Sequence, residues 1–173
     1  MLKQCFIFLF FLSVLTVPGF SQNSNSNINF QQVDEFARTV RYNGDLQELT
    51  NTLTTPYADS MYKLRAIFIW IADNIEYDYK LFNSGSNEWN RFECYGSRET
   101  CAQARLDWNN KHLEHVLNKK KTVCNGYTKL FKRMCNMAGI QNEMVDGYVK
   151  KTPFQIGLVL NVSHTWNVVN LGG

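Results

Sequence analysis

The chain has 173 residues, 45% of them apolar and 14% aromatic; this is enough for one domain of ordinary size, and it excludes a wholly disordered or collagen-like chain. Eighteen Lys and Arg against fifteen Asp and Glu leave a formal net charge of +3, too small a surplus to point to a nucleic-acid partner. Function therefore has to be sought in particular residues.

At the N-terminus Lys3 precedes an apolar run from Cys5 to Val17, 13 residues long, which the helix breakers Pro18 and Gly19 close. That run is short of the ~20 residues a spanning helix needs. It has the form of a secretory signal, with small residues at Gly19 and Ser21 and cleavage expected after Ser21. The alternative is a short anchor helix left uncleaved. On the first reading residues 1–21 are removed, the protein is secreted or periplasmic, and no stable membrane insertion remains. Residues 22–29, mostly Asn, Ser and Gln, form a flexible polar leader. One domain then occupies 30–173.

Within it, Phe30, Val33, Phe36, Ala37 and Val40 recur at helical spacing, and Asn43-Gly44 ends that helix. Met61, Leu64, Ile67, Phe68, Ile71, Ala72 and Ile75 make a broader apolar stripe after Pro56 and a cap at Asp59, predicting the central buried helix. Trp70, Tyr77 and Tyr79 read as core aromatics beside it, with a peptide-lining role as the alternative. From residue 82 to 108 no period holds, so an irregular insertion is expected there. His112, Leu113, Val116 and Leu117 suggest another short helix. Tyr127, Leu130, Phe131, Met134, Cys135 and Ala138 trace a helical face that Gly139 ends. Residues 144–149 and 165–169, rich in β-branched and aromatic side chains, predict strands, and Gly172-Gly173 reads as the start of a hairpin turn.

An exported chain keeps disulfides, so Cys94, Cys101, Cys124 and Cys135 matter. Cys124 and Cys135, if they share a helix, stand about 16 Å apart along its axis, beyond bridging range. Cys94 and Cys101 flank a polar, Gly-containing stretch and are candidates to staple the insertion; the alternative leaves both thiols free. Cys124 stands directly before a predicted helix, where unpaired N–H groups and the helix dipole favour a thiolate. His164 opens a predicted strand and is one of three histidines; an imidazole can take the thiol proton and hand it to a leaving group. A buried structural Cys and a strand His are the plainer alternative. His112 and His115, three apart, read as a solvated helix face without a third ligand for a metal. Lys119 to Lys121 read as a solvated turn, or else as charges favouring a Cys124 thiolate.

Three blocks, taken together, are specific. Ala66-Ile67-Phe68-Ile69-Trp70-Ile71-Ala72-Asp73-Asn74-Ile75-Glu76-Tyr77-Asp78, then Thr122-Val123-Cys124-Asn125-Gly126-Tyr127 with Ala138-Gly139-Ile140 and Val145-Asp146-Gly147-Tyr148, then His164-Thr165-Trp166-Asn167, resemble transglutaminase-like domains of the kyphoscoliosis-peptidase-like branch. The resemblance implies an α+β, papain-like core whose nucleophile helix packs on an antiparallel sheet. It puts Cys124 at the nucleophile and His164 at the base. It also implies an Asp on the strand after the His strand, for which this chain has no match before Gly173, so either the chain is a fragment of impaired activity whose sheet is incomplete at the C-terminus, as expected here, or the third role is absent. Asp146 belongs to a different motif. The upstream Trp that related transglutaminases use as an oxyanion donor is matched only loosely by Trp108, which otherwise closes the core under the insertion.

The resulting expectation is an exported cysteine enzyme acting on amide bonds of a protein or peptide substrate, without cofactor. Water as acceptor makes it a peptidase or deamidase, an amine makes it a cross-linker, and the hydrolytic choice rests on the family branch alone. The rivals are a non-catalytic binding module of the same fold and a secreted structural domain in which Cys124 is inert.

Overall fold

The computed structural model describes residues 30–85, 88–150, 152–159 and 161–171. The expected signal peptide (1–21), the leader (22–29) and Gly172-Gly173 lie outside the described residues.

Three helices build the first wall of the core. α1 (Gln31–Thr39) buries Val33 and Ala37. α2 (Leu46–Thr54) adds a helix the sequence reading does not contain; Asp45 caps it by accepting from the N–H groups of Gln47 and Glu48, and Leu49 and Leu53 enter the core. α3 (Ser60–Asn74) begins at its expected cap, Asp59, and buries Ala66, Ile67, Ile69, Trp70 and Ile71. The buried indole of Trp70 donates to the Val40 carbonyl at 3.1 Å, and Arg65 grips Asp34 through two bonds of 2.7 Å, tying α3 to α1. The buried stripe is narrower than the apolar one, since Phe68 stays half exposed.

The chain leaves α3 through β1 (Glu76–Tyr77), which pairs in parallel with β2 (Lys121–Thr122), Tyr77 opposite Thr122. Main-chain bonds of 2.8 Å from Glu76 and Asp78 to the carbonyls of Lys120 and Thr122 hold this two-residue bridge. Between its halves lie α4 (Tyr79–Ser84), capped by Asp78, a 3₁₀ turn (Glu88–Asn90) and α5 (Arg98–Lys119), capped by Ser97. The irregular insertion expected over 82–108 is thus smaller than expected. α4 takes its start, and α5 begins at Arg98 and absorbs the short helix expected around His112. The first half of α5 shows no apolar period because other forces hold it. Cys94 and Cys101 are joined in a disulfide with Cα atoms 5.6 Å apart, and Phe92 and Trp89 pack on Trp108 with ring centroids 5.6 and 5.7 Å away.

α6 (Cys124–Met137) runs through the middle of the fold, in contact with α2, α3, α5 and both strands of the second sheet. Leu130, Met134 and Cys135 are wholly buried on it. Gly139, at φ +73°, turns the chain back into β3 (Asn142–Gly147), which pairs antiparallel with β4 (His164–Val169), Gly147 opposite His164 and Asn142 opposite Val169. The architecture is α+β, a helical layer closed on one side by a small antiparallel sheet.

Candidate active site

Cys124 is the first residue of α6 and is partly exposed. The residue before it, Val123, makes no side-chain cap, whereas Asp45, Asp59, Asp78 and Ser97 cap α2 to α5. The first N–H groups of α6 therefore keep their positive end of the helix dipole open toward an anion at Cys124. The approach to Cys124 is fixed from behind. A Cβ on Gly126 would lie 2.8 Å from both Cβ and Cγ2 of Thr122, so only glycine lets the β2 strand lie this close to the first turn. Tyr127 completes the anchor by donating its hydroxyl to the Ile75 carbonyl at 2.6 Å.

His164 reaches the same end of the molecule by topology. β3 turns back along α6, so β4, antiparallel to β3, runs with α6. Asn167 sets the register by donating to the Thr128 carbonyl at 3.1 Å. Four residues of helix, about 6 Å, lead from Thr128 back to Cys124, and three of strand, about 10 Å, lead from Asn167 back to His164. Alternation along β4 decides orientation. Thr165 is buried, Asn167 bonds α6 and Val169 packs on the core, whereas His164 and Trp166 share the other face, their rings meeting edge to face at 4.8 Å. Among the described residues neither the Cys124 thiol nor the His164 ring makes a side-chain hydrogen bond; the register brings His164 to the Cys124 end of α6, but on the sheet face turned away from that helix. Asp146 lies opposite Thr165 and shares that residue's face rather than that of His164.

A groove of about 340 Å³ runs along the Cys124 side of α6, walled by Ile71 and Ala72 of α3, Tyr127, Thr128 and Phe131 of α6, and Val169 of β4. It is apolar. Tyr77 stacks nearly parallel on Tyr127, with centroids 6.3 Å apart and planes at 11°. Of the three aromatics read as core, Trp70 is buried, Tyr77 partly so, and Tyr79 is largely exposed.

Trp108 belongs to a different neighbourhood. Lys129 Nζ lies 4.1 Å from the centre of its indole, and Lys129 is about 140° round α6 from Cys124. The same lysine sits 3.4 Å from Nδ1 of His112, whose ring stacks on Trp89 at 4.8 Å with planes 2° apart. His112 is 1% exposed. The solvated face expected for His112 and His115 therefore holds only for His115, because the 3₁₀ turn lays Trp89 across His112. Burial, with the nearby Lys129 charge, pushes the His112 pKa down to about 3, and burial beside Arg105 brings Lys129 down to about 8. Burial pushes the Cys135 thiol up to about 12, leaving it inert. Sequence reasoning missed the His112–Lys129 pair. Only the 17-residue separation across two helices, invisible as a pattern, joins them.

The transglutaminase-like superfamily profile matches residues 46–173. The chain belongs to the transglutaminase-like superfamily. It is 32% identical over 146 residues to kyphoscoliosis peptidase of Mus musculus and, to the same degree, of Homo sapiens. The match covers 83% of this chain and 19% of each relative. No solved structure matches the chain closely enough to be compared. The α+β core with a cysteine at the head of its central helix is thus a transglutaminase-like domain similar to that of the kyphoscoliosis peptidases.

Proposed function

We propose that this domain is an exported cysteine-dependent enzyme that cleaves or transfers amide groups of a protein or peptide, with Cys124 as nucleophile and His164 as base. The observation that supports it best is the partly exposed thiol at the N-terminus of α6, which no side chain caps. An open helix N-terminus stabilises the thiolate and then offers the Cys124 N–H to the oxygen that becomes negative on attack. The thiolate adds to the carbonyl carbon, and the tetrahedral intermediate expels the amine as His164 supplies its proton. The remaining thioester passes to water or to an amine. A water acceptor is the simpler choice, since the relatives are peptidases by name. The N-terminal apolar segment and the Cys94–Cys101 disulfide support export.

A second reading is a binding module that keeps the fold without the chemistry. It draws on the His164 ring, which rests on Trp166 rather than on the thiol. The deciding experiment follows glutaminyl-peptide deamidation, peptide-bond cleavage and amine incorporation in the full chain beside Cys124→Ala and His164→Ala. Turnover abolished by either change supports the enzyme. Tight peptide binding with no turnover in any variant supports the module.

A further inference from the structure

The site as described has one donor for a developing oxyanion, the Cys124 N–H, and acyl transfer through a thioester calls for a second. Trp108 is poorly placed for that role, since its ring is held under Lys129 on the far flank of α6. Tyr77 is on the near flank. Tyr127 follows Cys124 by three residues, hence lies within about 60° of it around α6, and Tyr77 is stacked on Tyr127. The β1–β2 bridge sets Tyr77 opposite Thr122, two residues before the nucleophile. The two tyrosines differ in one respect. Tyr127 has committed its hydroxyl to the Ile75 carbonyl, whereas the Tyr77 hydroxyl has no hydrogen-bond partner among the described residues.

We propose that the Tyr77 hydroxyl is the second oxyanion donor of this site, acting beside the Cys124 N–H. The inference rests on the amide-bond reading above and deepens it. In the step concerned, the Cys124 thiolate lone pair forms the S–C bond and the carbonyl π pair moves onto oxygen, where Tyr77 and the Cys124 N–H each donate a hydrogen bond. Collapse re-forms the carbonyl π bond from that pair and breaks the C–N bond, whose own pair leaves with the amine as it takes a proton from His164. Burial first, then the nearness of Cys124 and of Tyr79, raises the Tyr77 pKa. The phenol therefore stays protonated, as a donor must.

Two reactions of the same thiol separate donor from scaffold. Acetylation by p-nitrophenyl acetate passes through an oxyanion; alkylation by iodoacetamide, a displacement at carbon, does not. The full chain, Tyr77→Phe, Tyr79→Phe and Cys124→Ala are compared in both. In Tyr77→Phe the Cys124-dependent p-nitrophenol burst is expected to slow about 100-fold, with alkylation within two-fold of the parent; Tyr79→Phe changes neither. Equal burst rates in the parent and Tyr77→Phe overturn the assignment and leave the enzyme reading standing, and a parallel loss of alkylation shows Tyr77 to be a structural support only. No Cys124-dependent burst in the parent overturns both readings.

Discussion

Asn167 donates to the Thr128 carbonyl at 3.1 Å, which ties the histidine strand to the first turns of α6. Its amide is steadied in turn by Asn142 Oδ1 at 3.4 Å, while Asn142 reaches Asn136 Oδ1 at 3.2 Å. The register of β4 along α6 thus rests on a chain of asparagines on the α6-facing side of the sheet, together with the packing of Val169 on the core.

Asn167→Leu is expected to lower stability by about 1 kcal/mol, the net value of one such bond. Acylation and iodoacetamide alkylation of Cys124 are both expected to fall further than that loss explains, because His164, the proposed base for the thiol proton, is no longer held level with the thiol. Asn167→Asp, which cannot donate and turns a charge toward two oxygens, should be worse in both respects. Urea denaturation and the two thiol assays read these outcomes; unchanged acylation in Asn167→Leu would show that the register is set elsewhere.

Gly126 is needed for space. Its φ calls for nothing special, but a methyl there overlaps Thr122. Gly126→Ala is expected to cost about 1 to 3 kcal/mol, the usual range for overpacking, and to slow Cys124 alkylation because the strand that presents the thiol is pushed away. Thr122→Gly in the Gly126→Ala background should restore part of both. A Gly126→Ala chain with parental melting and alkylation rates would refute the close approach.

The central helix, its Asp59 cap, the α6 face and both strands of the second sheet are legible in the sequence because each shows a period or a cap. Three features are not. The β1–β2 bridge is two residues long, too short for alternation. α2 has only Leu46, Leu49 and Leu53 among polar residues, and Asp45 announces it more clearly than its apolar content. The first half of α5 is held by a disulfide and by aromatics arriving from the 3₁₀ turn, so its own residues carry no stripe. At the site, the thiol's place on α6 follows from local sequence, whereas Tyr77 reaches the Cys124 flank of α6 through a tertiary contact with Tyr127 that no spacing within either segment reveals.

The Cys94–Cys101 bridge closes a short loop, worth about 2 kcal/mol by loop-closure entropy. It also holds the segment carrying Trp89 and Phe92 against Trp108. Cys94→Ser with Cys101→Ser should lower the melting temperature, red-shift tryptophan emission as Trp89 and Trp108 meet water, and leave Cys124 alkylation near the parental rate because α6 is anchored separately. Loss of the thiol's reactivity would instead tie the staple to the site.

The His112–Lys129 pair gives stability a sign with pH. His112 titrates near 3 when folded and near 6.5 when unfolded, so between those values the unfolded chain binds the extra proton. Stability from this group is complete above about pH 6.5 and is lost as pH falls toward 3, with a slope approaching about 1.4 kcal/mol per pH unit. Lys129 acts in the same direction at the other end. Its folded pKa of about 8 lies below the ordinary 10.5, so between those values stability rises with pH. Both shifts come chiefly from burial. His112→Leu removes the imidazole and should flatten the acid limb between pH 6 and 3, while leaving the alkaline limb to Lys129. Lys129→Met should remove the alkaline rise and also lift the His112 pKa, because the neighbouring cation no longer opposes protonation; the acid limb then starts to fall at the same pH but levels off earlier. Urea denaturation at half-unit steps from pH 3 to 10.5 measures both limbs, and ring-proton chemical shifts of His112 follow its titration directly. An acid limb that is identical in the parent and His112→Leu would mean that His112 is solvated and titrates normally in solution, and the stacked arrangement with Trp89 would then not be the one that holds α5 against α6.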